Sequence, residues 1–307
     1  MESERVRGLV QQMEDVADRV IAKIAPHARS LAKFGILFLH FQIAFLTLIE
    51  FENISLFIGY SLNLNDKVKA TIDPETGKKT FAKNGANNIS MFLALLLVVT
   101  RLGSLTYIYL KKHVVPAVTV LAIPSFISVT LHFNERIGLS SIFSISTFLS
   151  QIGCLLMVAA ESLEDKDMHL VGIPSWGVNK RIDILSLFSR INIVLVVIGI
   201  QTQYAIFLSG GDASRFFIWF LMLIMLPMIL CVVAGYKTKV ISVALAVMLT
   251  LFSLYCFPFF LHLAEGNYFM FYTLCFMFGI NLSGVGSLIY IAILGAGTYS
   301  VDHMKRQ

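Results

Sequence analysis

The sequence predicts an all-α fold, a polytopic membrane helix bundle with about eight transmembrane helices. Three observations predict it. Of 307 residues, 57% are hydrophobic and only 14% charged, where a soluble domain carries about a quarter charged residues. That leaves too little polar surface to coat a body in water. Apolar runs of roughly 20 residues recur along the chain, the length that crosses a hydrocarbon core of about 30 Å at about 1.5 Å per residue. These runs are continuous, whereas barrel strands alternate and last about 10 residues.

The elements follow in order. Residues 1–33 mix acids and bases with no apolar run before Phe34, so no cleavable signal is read there and the first span acts as the signal. Within this segment Val6, Leu9, Val10, Met13, Val16, Ala17, Val20, Ile21 and Ile24 recur at helical spacing. They predict an amphipathic helix on a membrane surface, able to dock a cytosolic coat, with Pro26 breaking it before span one. Eight spans are expected at 34–51, 90–110, 114–133, 137–160, 191–209, 216–234, 240–263 and 268–295. Pro116, Pro124, Pro227 and Pro258 lie inside or at the edge of spans, where they predict kinks.

Sidedness follows from lysine and arginine. An even number of spans puts both termini on one side, which carries sixteen of the 24 basic residues. The other side carries seven, five of them in the loop 52–89, and Arg101 lies within a span. Both termini are therefore expected in the cytosol and the loop 52–89 in the lumen. The resulting organisation is a cytosolic segment (1–33), a first four-helix unit (34–160), a cytosolic linker (161–190), a second four-helix unit (191–295) and a cytosolic tail (296–307). "YLKKHVV" between spans two and three echoes "GYKTKVI" between spans six and seven, as two parallel repeats would.

Several chemistries are excluded by pattern. No HExxH, GxSxG, P-loop or carboxylate pair is present, so an enzyme is not expected. Cys154, Cys231, Cys256 and Cys275 all lie inside apolar runs, without metal or disulfide spacing, and no cofactor is implied. The net charge of +5 is dispersed along membrane flanks and does not point to nucleic acid. Asn53 and Asn88 each open an "NIS" acceptor pattern, but both abut a span, and neither is expected to be reliably glycosylated.

Arg101, near the middle of span two, is the outstanding intramembrane charge. Burying it costs several kcal/mol unless it is paired or hydrated. Two roles compete: a structural pin on backbone carbonyls, and the lining of a polar cavity. His40, Gln201, Gln203 and Asn281 are the neutral polar groups within spans that could partner it.

Four blocks carry a resemblance to a known family: "MEDVADRVIAKIAPHARSL" before span one, "LLMVAAESLEDKDMHLVGIP" after span four, "VVAGYKTKVISVAL" between spans six and seven, and the ending "LGAGTYSVD". Together they resemble the surfeit locus protein 4 family, and the ending is similar to the Gly-rich LGxGxxSxD close of DoxX-like membrane proteins. The matched positions include Glu161, Gly235, Lys237, Lys239, Gly295, Gly297 and Asp302. The resemblance implies a receptor of the endoplasmic reticulum membrane that cycles to the Golgi. Such a receptor binds soluble secretory cargo proteins in the lumen, engages vesicle coat proteins in the cytosol and returns through a C-terminal dilysine signal. The chain departs from the family where an acidic pair and an arginine of span one give way to His40, Phe41 and Ala44. It departs again where an Arg-Asn pair of span four gives way to Thr147 and Phe148.

Glu50, Glu135, Asp212 and Glu265, near luminal span ends, are the candidate contacts for a cargo α-amino group. His303, Lys305 and Arg306 form a candidate sorting signal that is an incomplete dilysine, because neutral His303 and Met304 stand where a second cation belongs. Membrane lipid is the expected surrounding, and a homo-oligomer is compatible with the sequence. The rival functions are a lipid or small-solute transporter or scramblase, suggested by the polar groups in spans, and a membrane redox subunit, suggested only by the ending.

Overall fold

The computed structural model describes residues 2–61, 70–72, 79–81, 88–133, 139–168, 183–191, 212–259, 268–295, 297 and 299–304. The long apolar runs fold as helices, as hydrocarbon demands: every backbone N–H and C=O must be satisfied within the segment. The order is α1 (Glu2–Ile49), α2 (Phe51–Ser61), β1 (Ala70–Ile72), β2 (Lys79–Phe81), α3 (Asn88–Tyr109), α4 (Val114–Phe133) and α5 (Leu139–Met168). It continues with α6 (183–191), α7 (Asp212–Ala234), α8 (Thr238–Cys256), α9 (Tyr268–Leu294) and α10 (Val301–Met304).

Five helical stretches are long and apolar enough to cross a membrane: Lys23–Ile49, Asn88–Tyr109, Ile145–Leu163, Thr238–Cys256 and Leu274–Leu294. Val114–Phe126 and Phe220–Ala234 are shorter apolar helices. Seven of the eight expected spans are thus helical among the described residues, and the span 191–209 lies outside them except for Ile191, the last residue of α6. The chain is a polytopic helical membrane protein.

Four local expectations change. Pro26 does not break the first helix, since α1 runs through it without interruption. A proline there removes one backbone hydrogen bond and leaves the neighbouring ladder in place. The α1 backbone is helical throughout the predicted amphipathic stretch, but most of that stretch's side chains lie outside the described set. Pro258 ends a helix rather than kinking one: α8 stops at Cys256, and Phe257 adopts φ −122°, ψ 64°, away from the helical region that a following proline disfavours. The stretch 52–89 is not simply a loop. It contains α2 and an antiparallel ribbon that pairs Ala70 with Phe81, Thr71 with Thr80 and Ile72 with Lys79. Finally, α5 continues past Ala160 to Met168, so the segment after span four begins as helix. Pro116 sits in the first turn of α4, where its missing N–H has no partner to lose. Pro124 and Pro227 lie inside α4 and α7.

By compactness the chain forms two units, His40–Phe148 and a second made of Met1–Leu39 with Leu149–Gln307. These divisions fall inside α1 and α5.

In the larger unit, α1 crosses α9 in direct backbone contact. A methyl group on Gly35 would lie 2.9 Å from the Leu282 carbonyl oxygen, and one on Gly286 would lie 2.5 Å from that of Ala32. Small residues at such a crossing let two helices gain dispersion contact where no water drives them together. In the smaller unit, Ile58 of α2 and Ala94 of α3 form a buried core, with Phe51, Ile54, Leu93 and Leu97 packed against it. Phe126 of α4 and Phe148 of α5 pack with ring centroids 5.6 Å apart.

Candidate functional site

Among the described residues, three groups of buried polar side chains stand out, two in the larger unit and one in the smaller. The first joins α1, α5 and α9. Glu161 is 3% exposed; Lys33 Nζ lies 3.1 Å from its Oε2, and Tyr290 Oη donates to the same oxygen at 2.8 Å. One carboxylate oxygen therefore holds a cation from α1 and a hydroxyl from α9. Removing one partner of a buried pair strands the other charge, at about 3–5 kcal/mol. Two residues along α1 from Lys33 and about one turn along α9 from Tyr290, the Gly35–Gly286 crossing brings the backbones close enough for these side chains to meet.

The second place gathers α6, the turn between α7 and α8, and the Gly-rich ending. Arg190 is fully buried. Its Nη1 donates to the Val233 carbonyl at 3.3 Å and its Nη2 to the Tyr299 carbonyl at 2.9 Å. Burial lowers the Arg190 pKa and the nearby Asp183 carboxylate raises it. Gly235, with φ 73°, is fixed by more than its backbone angle: a methyl group there would overlap the Ser300 side chain and lie 2.7 Å from Arg190 Nη1. Gly297, with φ 69°, likewise faces Asp183, whose Oδ1 would lie 2.6 Å from an added methyl. Ser300 Oγ donates to the Gly297 carbonyl at 2.8 Å, and Met304 N–H donates to the Ser300 carbonyl at 3.1 Å. Gly235, Gly297 and the start of the tail, far apart in sequence, thus form one locked assembly around Arg190.

The third place is in the smaller unit. Arg101 of α3 is 2% exposed and His40 of α1 is 1% exposed. Arg101 Nη2 donates to the Pro124 carbonyl of α4 at 3.3 Å. The expected backbone pin is therefore present, on the proline-bearing turn of the neighbouring helix.

The other sequence-predicted residues distribute as follows. Glu50 is half-buried at the one-residue break between α1 and α2. Its N–H donates to the Leu46 carbonyl and its own carbonyl accepts from Ile54 N–H, so the helical ladder carries across. Glu135, Glu265, Gln201, Gln203, Lys305 and Arg306 lie outside the described residues. Asp212, Asp302 and His303 lie in helices, with side chains outside the described set. Asn281 is buried in α9 and donates to the Met277 carbonyl of its own helix at 3.2 Å. Lys237 begins α8 in the left-handed region, at φ 43°, and Lys239 is half-buried in that helix's first turn. Gly295, at φ 80°, ends α9 and meets no other atom that would exclude a methyl group. Phe41 is exposed, and Ala44 and Thr147 are buried. Sequence reasoning missed Lys33, Asp183, Arg190 and Tyr290. The signal for Arg190 and Asp183 was a cation and an acid seven residues apart at the edge of a span; for Lys33 and Glu161 it was two opposite charges at span ends on one expected side.

A chain whose apolar helices are pinned by buried arginine, lysine and glutamate contacts is a multi-pass membrane protein with a polar interior framework. A model of the SURF4 family matches residues 7–307, and the chain belongs to that family. It is 30% identical to the surfeit locus protein 4 homolog of Drosophila melanogaster over 161 residues, 51% of this chain and 54% of that relative. The match therefore spans about half the relative's length. No solved structure matches the chain.

Proposed function

We propose that this protein is a receptor for soluble secretory cargo in transport from the endoplasmic reticulum to the Golgi, with both termini in the cytosol. The observation that carries the proposal is the family match over residues 7–307, which includes the four blocks on which the resemblance rests. Cargo binds on the luminal side, where the acids Glu50, Glu135, Asp212 and Glu265 offer charge to a cargo α-amino group. A carboxylate beside an ammonium in a partly desolvated groove contributes about 1.5–3 kcal/mol. Glu50 has the environment such a contact needs: half-buried at a helix break, next to the apolar Phe51 and Ile54 that pack toward α3. Vesicle coat proteins are engaged from the cytosol, and Lys305, with Arg306 beside it and only neutral His303 before it, makes a weak retrieval signal. The protein acts as a receptor without catalysis or cofactor.

Neutralising Glu50, Glu135, Asp212 and Glu265 together tests the cargo site in a cell that depends on this receptor. Secretion of receptor-dependent cargo should fall severalfold while the receptor itself still reaches vesicles. Unchanged secretion would defeat the assignment. For the tail, His303→Lys should shift the steady-state distribution toward the endoplasmic reticulum and Lys305→Ala toward the Golgi. If neither moves it, the tail is not a sorting signal.

A further inference from the structure

One face of α1 is apolar almost from end to end. From Val6 the chain steps by four and three residues in turn to Val10, Met13, Ala17, Val20 and Ile24. Past His27 the same steps reach Leu31, Phe34, Phe38, Phe41, Phe45 and Leu48. Only His27 is polar in this series, and α1 is one helix over all of it. Positions so spaced share a face. From Ile24 to Leu48, where side chains are described, every member is exposed except the half-buried Phe38. The other side of α1 is already taken: Ala32, Ile36 and Leu39 are fully buried, and Gly35 lies against α9.

Two features separate this seam from a surface that merely faces lipid. The first is its period. A straight helix drifts about 20° per heptad against a seven-residue repeat. The repeat here holds over six heptads, from Val6 to Leu48, so a straight α1 would carry it about 120° around its axis. A lipid-facing surface has no reason to keep such a repeat, whereas a seam wound left-handed around a second helix requires it. The second feature is reach. The apolar span of α1 is Lys23–Ile49, and the helix continues back to Glu2, about 30 Å beyond it at about 1.5 Å per residue. Its ladder passes Pro26 unbroken, so the extension does not turn down flat onto the bilayer. Hydrocarbon ends where the span does. Beyond that point the seam needs a protein cover, and its burial from water is favourable.

The cover must carry a matching apolar seam through the bilayer and on past it, in register at both depths. A second copy of α1 has that seam by identity. Two copies inserted the same way run parallel, as a twofold interface along the membrane normal requires. Within the span, Leu31, Phe34, Phe41, Phe45 and Leu48 are 47–62% exposed. At about 200 Å² for a large side chain they offer about 500 Å² per copy, and the pair about 1,000 Å², where specific interfaces begin. Ring pairs Phe34–Phe38 and Phe41–Phe45, with centroids 5.6 and 6.2 Å apart, align these side chains along the face. His27 is the polar member of the core, a kind of residue that fixes register at a cost in stability. We infer that α1 pairs with α1 of a second copy as a parallel left-handed coiled coil, from the extension through the span.

The test uses the full chain in phosphatidylcholine vesicles at low protein density. Met13→Cys and Val20→Cys place a thiol on the seam, and Gln12→Cys and Arg19→Cys place one a residue off it. Oxidation by copper phenanthroline should join two copies through the first two and not through the second two. The wild-type chain, whose four cysteines lie inside apolar runs, sets the background. Equal product from all four variants, or none from any, overturns the parallel seam. Energy transfer between copies carrying different dyes, followed as lipid is added, reads the affinity. Phe34→Ala with Phe41→Ala should weaken it at least about tenfold, and His27→Leu should strengthen it. Leu95→Ala with Val99→Ala, similarly exposed on α3, should leave it unchanged. Equal effects of the two double variants would assign the seam to lipid and overturn the pairing. Repeated in cell membranes, a crosslink from positions 13 and 20 to a different protein, in place of the second copy, would overturn it as well.

Discussion

Two turns of this protein share one backbone and differ in everything placed on it. Between α3 and α4, Lys111 N–H donates to the Ile108 carbonyl and Lys112 N–H to that of Tyr107. Between α7 and α8, Gly235 N–H donates to the Val232 carbonyl and Tyr236 N–H to that of Cys231. Each is the paired bonding that closes a helix on a left-handed residue. Each is followed, two residues on, by a second left-handed residue that starts the next helix: His113 at φ 48° and Lys237 at φ 43°. The geometry pairs Lys111 with Gly235 and His113 with Lys237, two residues out of step with the sequence echo of "YLKKHVV" and "GYKTKVI".

The difference lies in what covers them. Lys111, Lys112 and His113 are all exposed. A lysine holds the left-handed position there, at φ 55° on an exposed turn. Gly235 is buried under Ser300 and Arg190, so the same backbone position admits only glycine. The comparison teaches that a glycine in a turn can be set by its neighbour rather than by its own φ angle.

Substitutions at four positions would break or sharpen this contrast, each measured as thermal unfolding of the purified protein in nanodiscs. The largest effect is expected from Gly235→Ala, which adds left-handed strain to an overlap with Ser300 and should cost about 2–4 kcal/mol. Lys111→Ala, its counterpart, should be nearly neutral. If the two cost the same, the covering of Gly235 is not what distinguishes the turns.

Next, Arg190→Met removes donors from the Val233 and Tyr299 carbonyls and should cost about 2–3 kcal/mol. It should also make the tail after Gly297 more open to protease. A loss of stability with an unchanged tail would show that Arg190 does not hold the ending.

Ser300→Ala removes the hydrogen bond to the Gly297 carbonyl and should cost about 1 kcal/mol. It keeps the Cβ that excludes any side chain at position 235, so Gly235→Ala should remain unfavourable in its presence. Rescue of Gly235→Ala by Ser300→Gly, and not by Ser300→Ala, would localise the overlap to that Cβ.

The smallest effect runs the other way. Lys111→Gly relieves left-handed strain at an uncovered position and should stabilise by up to about 1 kcal/mol. A destabilisation would mean that the lysine side chain makes contacts worth more than its strain.

Much of this architecture was legible in the chain because hydrocarbon leaves few options. Runs such as Ser90–Leu110 and Val114–Phe133 read directly as α3 and α4, since length and continuity decide the matter. The turn residues "GYKTK" were legible as a boundary, and Gly235 as a motif position. That Gly235 meets Ser300 was not legible, because that contact spans 65 residues and depends on helix packing that no local pattern encodes. Pro26 misled for a related reason: a local rule marks a break, while the flanking ladder of α1 holds the helix together. Arg101 announced itself as a buried charge, but its acceptor is a backbone carbonyl at Pro124, and carbonyls have no signature in sequence. Lys33 with Glu161 and Tyr290 was hidden in the same way, since three separate helices bring them together.

The most direct measurement for the receptor proposal is site-specific photocrosslinking from position 50 in sealed microsomes that contain secretory cargo. A photoreactive residue at Glu50 should capture the N-terminal segment of a soluble secretory protein on the protease-protected side. Free peptide of the same N-terminal sequence should compete the product away. A crosslinker at position 50 that is reached only from the cytosolic face, or that captures lipid and no cargo, would contradict the account.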